Sequence, residues 1–515
     1  MKKTLQGNNT RAPGVKGYFL SSIIPFLSVL IFILSFLIFV NQKQSDGLLF
    51  AGFFCLLAIS VLYSMFNNLS LFWLLLLALP LSIEEPLGIG DSKIILPSEL
   101  IIIMLAVVFF YRRVFFSGIS KGLLRHPLSV VILIYISVLI LTTFTSSMPV
   151  VSMKFSLVNI AYIIVFYFLL NELVSRDKRH IVSFYGCYAI SLVIVIIIAL
   201  YLHSEYNFRK DISGMVVRPF YSDHTIYSAC ITLLIPAFGF FSLKGGQLGL
   251  SIFKRSAAFI IFIILLTGLL FSYSRGAWIG LAGSAVFLFL IVLGIRFKHL
   301  VYLSCLSLAV LYIYKGSIYD GAIHNQAEST DRNNSIAEHI GSSANVSSDV
   351  SNLERINRWS CAWRMFKDKP VTGFGPGTYQ FAYLPYQKEN EMTYISVKSP
   401  YNIPFGRGGS AHSEYLLALS ESGIMGFLCM VTLFFLALYT GMKVYYNTTD
   451  IKIRLLALAS LSGLITYFVH GVVNNFLNID KAASLFWGSL CILVTLDLNR
   501  GLNKEKPGQK PAIEK

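Results

Sequence analysis

A histidine and two glutamates open one of the most apolar stretches of the chain, "SAHSEYLLALSESGIMG", Ser410 to Gly426. An imidazole with a pKa near 6.5 can take a proton from an incoming nucleophile, so His412 is a candidate general base. The carboxylates need another account. If a helix begins near His412, Glu421 lies about 13 Å deeper, where an ionised carboxylate is costly unless paired or facing a wet cavity. At roughly 100° per residue the two fall on opposite helix faces, so no direct dyad is expected. Glu421 is expected to hold a loop through backbone N–H groups or to pair an arginine, and Glu414 shares its face.

Arginines recur at the ends of other apolar runs. "MVVRPFYSDHTIYS" supplies Arg218, Asp223 and His224, "SYSRGAW" supplies Arg275, and "NLERINRWSCAWRMFKDKP" supplies Arg355 and Arg358. A guanidinium presents a planar fork of donors that matches phosphate oxygens, so these arginines, gathered beside a histidine, suit a polyanion. Salt bridges with carboxylates of the same loops are the plainer alternative for any one of them. Two other signals are set aside. "GFGPGTY" is read as a turn that redirects the chain rather than as a nucleotide loop. The acidic "IEEPLGIGDSK" lacks a histidine and tight spacing, so no metal site is assigned to Glu84, Glu85 and Asp91. No G-x-S-x-G elbow supports a serine nucleophile.

The elements that must position these residues are membrane helices. The chain has 515 residues, 55% hydrophobic and only 13% charged, which reads as an all-α polytopic membrane protein. Apolar runs long enough to span predict about 12–14 transmembrane helices, the first at 18–40 being a span rather than a cleavable leader. A net charge of +16 is spread over the connections, which argues for membrane topology and against a nucleic-acid partner. With the N-terminus inside and alternation thereafter, the inner segments hold most of the Lys and Arg, and both termini come out cytoplasmic. Residues 203–225, 272–278 and 315–411 then face outward. The division expected is 1–202 and 203–314 as transmembrane helices, the second set bearing the arginine loops. A long outer loop follows at 315–411, then C-terminal helices at 412–498 and a tail at 499–515. In the loop, apolar residues at Leu353, Ile356, Trp359, Trp363 and Phe366 predict an amphipathic helix lying on the outer surface, capped near Ser351 or Asn352 and stopped by Pro370.

"RPFYSDHT", "SYSRGAW", "ERINRWSCAWRMFKDKPVTGFGPGTY" and "HSEYLLALSESGIMG", in this order and topology, resemble the O-antigen ligase and polymerase superfamily of bacterial envelope glycan transferases. The resemblance covers the C-terminal three-fifths of the chain. It implies a periplasmic loop over a lateral cavity in the inner membrane, and metal-independent, cofactor-free, inverting transfer of a glycan from undecaprenyl pyrophosphate. In ligases the acceptor is a sugar hydroxyl of the lipid A core. By position, His412 corresponds to the essential histidine and Arg218 and Arg275 to pyrophosphate-holding arginines. Arg355 matches a loop-motif arginine; Arg358 has no clear counterpart. Asp223, His224, Glu414 and Glu421 are read as supporting residues. O-antigen polymerase, protein O-oligosaccharyltransferase and a lipid-linked glycan transporter are the competing readings, the last disfavoured because the two halves show no repeat.

Overall fold

A computed structural model describes residues 68–86, 93–116, 118–314, 350–393, 395–397 and 409–502. The runs at 18–40 and 47–65, Asp91, most of the Ser/Asn-rich stretch before the loop helix, and the end of the tail lie outside the described residues. The chain divides into two compact units, Met1–Leu76 and Leu77–Lys515. A helix, α1, covers Asn68–Ala78, and a short antiparallel pair, β1 (Ile83–Pro86) and β2 (Lys93–Leu96), follows it. Glu84 and Glu85 lie on β1.

The rest of the second unit is helical: α2 (Ser98–Phe115), α3 (Pro127–Phe144), α4 (Pro149–Arg176), α5 (Arg179–Ser204), α6 (His224–Leu243), α7 (Ile252–Leu270), α8 (Arg275–Val292) and α9 (Phe297–Ile313). After them come α10 (Val350–Asp368), α11 (Glu414–Asn447), α12 (Ile451–His470) and α13 (Asp480–Leu502). Among the described residues nine helices are long and apolar enough to cross a membrane. A helix pairs its backbone polar groups within its own segment, which is what lipid requires of a spanning element.

Helices α12 and α13 form the centre: 89% of the apolar window of each is buried in protein, against 22% for α7, whose Phe253, Phe259 and Ile260 face outward. α12 packs against α6, α8, α11 and α13. Its contact with α8 is made by small residues. A Cβ on Gly276 would come 2.8 Å from the His470 ring, and one on Gly280 would meet the Thr466 carbonyl, so small residues let the two helices approach closely.

The loop helix α10 is present within a residue or two of its expected ends, but it does not lie with its large apolar stripe buried. Cys361, Ala362 and Met365 are buried against Tyr379, Tyr383 and Ala411, whereas Leu353, Ile356, Trp359 and Phe366 stay half-buried and Trp363 is 48% exposed. The small face wins because it lets α10 close onto α11 and the loop beyond it, making a second apolar core above the bundle.

Candidate active site

Helix α11 is not continuous. Gly423 takes φ 63° and ψ −162°, outside helical space, so the carbonyls before it and the amide after it need partners elsewhere. The "GFGPGTY" turn and Pro370 just before it supply them. Phe374 N–H donates to the Ser420 carbonyl (3.0 Å), Gly375 N–H to that of Glu421 (2.8 Å), and Ile424 N–H to that of Pro370 (2.9 Å). Gly373, Gly375 and Gly377 all have positive φ. A Cβ at each would collide with Glu421 backbone, Ser146 and Phe155 respectively. Glycine is required here by both conformation and space. The turn redirects the chain, as its composition suggests.

The two glutamates of α11 are buried and each grips a loop. Glu421 Oε2 accepts from Gly377 N–H (2.8 Å) and Oε1 from Tyr379 N–H (2.9 Å). Glu414 Oε1 accepts from the N–H groups of Phe476 (2.6 Å) and Leu477 (2.9 Å) and from the Tyr467 hydroxyl. The Glu414 N–H in turn donates to the Gly471 carbonyl at 2.8 Å. A buried carboxylate with several N–H donors stays satisfied without a cation.

Between these loops lies a cavity of about 730 Å³. His412 lines it, together with Arg355 from α10 and Asp223 and His224 from the start of α6. Glu421 also reaches its wall. Asp223 caps α6, accepting from Thr225 N–H at 2.8 Å, and meets His224 Nδ1 at 3.0 Å. Burial works to raise the Asp223 carboxyl, but the His224 hydrogen bond and charge and the Thr225 amide outweigh it and hold it at about 2. His412 sits at φ 49°, and Trp359 Nε1 donates to its carbonyl at 3.0 Å. Burial first, then the charges of Arg358 and Arg355, push its imidazole down to about 4, against the pull of Asp223 and of a hydrogen bond with Asn474. At neutral pH His412 therefore carries a free lone pair.

The remaining arginines stand apart from the cavity wall. Arg358 is buried, paired to Glu354 at 3.1 Å, stacked over the Tyr383 ring at 4.7 Å and packed on Gly409; it holds the segment that leads to His412. Arg218 is exposed on the turn before α6. That turn is clamped by the buried Lys481, whose Nζ donates to the carbonyls of Phe220 and Ser82. Arg275 opens α8, next to the Gly276 on which His470 rests.

The asparagines Asn474, Asn475 and Asn478 line the same cavity. Sequence reasoning centred on charged groups passes over them, although "HGVVNNFLN" is an unusually amide-rich end to an apolar run. At the opposite end of the bundle, Asp497 gathers Lys443 (2.8 Å), Arg500 (3.3 Å) and His126 (3.3 Å).

Compared with known proteins, residues 260–431 match the family model described as O-Antigen ligase, a stretch that contains Arg275, α10, the glycine turn, His412 and both glutamates. No curated protein matches the chain.

Proposed function

We propose that this membrane protein, which carries a domain of the O-antigen ligase superfamily, transfers a glycan from undecaprenyl pyrophosphate to a sugar hydroxyl of the lipid A core. The reaction would take place on the periplasmic face of the inner membrane. The observation that carries the reading is the meeting of His412 and Arg355 in one cavity, at the end of the bundle away from the Asp497 cluster. That cluster's cations fit a cytoplasmic end, by the bias of Lys and Arg toward that side.

The acceptor hydroxyl attacks the anomeric carbon from the face opposite the diphosphate. The new C–O bond forms as the bond to the phosphate oxygen breaks, inverting the centre. The hydroxyl proton passes to His412, and the diphosphate departs on its lipid. Arg355 meets the charge that develops on the leaving oxygens, with Arg275 and Arg218 extending the positive surface along the adjoining turns. Preorganised donors of this kind act most strongly where water is excluded.

The low pKa of His412 has a use in this scheme. Burial depresses it most, and the charges of Arg358 and Arg355 add to that. A bound diphosphate offsets them, so the imidazole becomes more basic when the donor is in place. The base is strengthened by the substrate it serves.

Purified protein in detergent, given lipid-linked donor and core acceptor, should form the linked product, in the presence of EDTA as in its absence. His412→Ala should abolish this while leaving expression intact. Loss of a ligase in a deletion strain leaves core unsubstituted while polymer accumulates on the carrier; core bearing a single repeat would instead identify a polymerase.

A further inference from the structure

Three spanning helices meet the segment 370–374 and mark its level. Ile424, the first residue after the break in α11, donates its N–H to the Pro370 carbonyl at 2.9 Å. A Cβ on Gly423 would meet the Val371 carbonyl. Ser147, in the corner between α3 and α4, donates its N–H to the Phe374 carbonyl at 2.9 Å. Exposed apolar side chains begin at these contacts: Ile424, Met425 and Leu428 on α11, Phe144 at the end of α3 and Val150 at the start of α4. On a helix that crosses a bilayer such side chains face hydrocarbon. The segment 370–374 therefore lies at the edge of the hydrocarbon layer.

The end of α10 that runs into this segment is apolar on its outside. Val371 is 68% exposed and Trp363 48% exposed. Residues 363, 366, 367 and 370 share one face of the helix by their spacing of three and four. On it the Trp363 and Phe366 ring centres are 5.4 Å apart, and Lys367 Nζ lies 5.8 Å from the Trp363 ring. Lys369 Nζ stands 4.6 Å from the Phe374 ring. Asp368 between the two lysines accepts from the Tyr386 hydroxyl. Aromatic rings flanked by lysines at a hydrocarbon edge suit a membrane interface, where the rings meet acyl chains and the lysine tips reach phosphate. The large stripe that the protein core leaves uncovered thus has an occupant of matching chemistry.

We infer that the C-terminal end of α10 is an interfacial anchor. Trp363, Phe366 and Val371 enter the headgroup region of the leaflet at the cavity end of the bundle, with Lys367 and Lys369 on its phosphates. This requires α11 to span the bilayer; it does not require His412 to be a base. The anchor also bears on the cavity. Arg355 lines the cavity from the same helix, about 12 Å along the axis from Trp363. A seated Trp363 thus ties that wall of the cavity to the leaflet, while the small face of α10 holds it to the loop core.

The test places the full chain, one copy per lipid nanodisc, in phospholipid brominated on its acyl chains, and reads quenching of tryptophan emission. The chain has five tryptophans, so the Trp363 signal is taken as wild type minus Trp363→Phe. Val371→Trp minus wild type gives a second reporter at the same corner, which carries the test should Trp363→Phe fail to fold. Both reporters should lose emission in brominated lipid, more with bromine just below the headgroup than with bromine near the chain end. Iodide in the buffer should quench them little. Emission that ignores bromine but falls with iodide puts the corner in water, and emission that ignores both puts it against protein; either result overturns the anchor. His412→Ala should quench as wild type does, so a failure of the anchor and a failure of glycan transfer are read separately.

Discussion

Two loops are gripped by glutamates seven residues apart on one helix, and they are built from opposite materials. The 373–379 turn is made of glycines with positive φ, and it meets Glu421 with backbone alone. The 471–479 turn meets Glu414 in the same way but turns three asparagine side chains into the cavity. Identical anchoring thus supports a roof in one case and polar groups beside the base in the other. A buried carboxylate near a cavity is not by itself a sign of chemistry; what its partners carry decides.

The comparison can be broken most severely at the glycines. Gly375→Ala should prevent accumulation of folded protein, because φ is 107° and a Cβ would enter the space of Ser146 and Ser152; membrane yield of a fluorescent fusion measures it. The glutamates come next. Glu421→Gln turns an amide nitrogen toward the N–H of Gly377 or Tyr379, and Glu414→Ala removes the one oxygen shared by Phe476, Leu477 and Tyr467, so each should lose about 1–3 kcal/mol of stability, seen as a lower melting temperature in detergent. They should differ in rate: the Glu414 change loosens the asparagine turn and should lower kcat more than the Glu421 change does. Equal kcat losses would remove the distinction drawn between the loops.

The arginines give a smaller contrast. Arg355→Lys and Arg275→Lys should each lower kcat/KM, since a point charge does not reproduce the fork. If neither changes it, the diphosphate assignment fails. The smallest effect is in pH dependence. The free imidazole of His412 lies at about 4, so kcat/KM for the donor should hold through neutrality and fall only as pH drops through that value. With donor bound the imidazole is more basic, and the acid limb of kcat should lie at higher pH than that of kcat/KM. Coincident limbs would show that the diphosphate does not sit beside His412.

Hydropathy made the bundle legible, because lipid leaves the chain few ways to pair its backbone. The helix starts at His224, Arg275 and Glu414 coincide with the motifs read from sequence. Of the charged residues that the sequence gathers at the ends of apolar runs, His412, Arg355, Asp223 and His224 line one cavity, and Arg218, Arg275 and Arg358 do not. The spacing that announces α10 does not say which of its faces is buried: Trp363 and Phe366 dominate a periodicity count, while packing favours Cys361 and Ala362. Asn474 escaped because it is uncharged, and its place on the cavity wall comes from a turn folded around Glu414. Arg358 shows the reverse: charged and conspicuous, it is committed to Glu354 and Tyr383.

The interruption at Gly423 separates two tasks along α11. An unbroken helix of 34 residues would measure about 51 Å, well beyond a hydrocarbon thickness of about 30 Å. Below the break, residues 424–447 alone cover about 36 Å, enough to traverse the bilayer with some tilt. The upper piece takes its register from the glycine turn and not from the lipid. Lengthening or shortening the lower piece to suit a thicker or thinner membrane would therefore leave His412 at its present height.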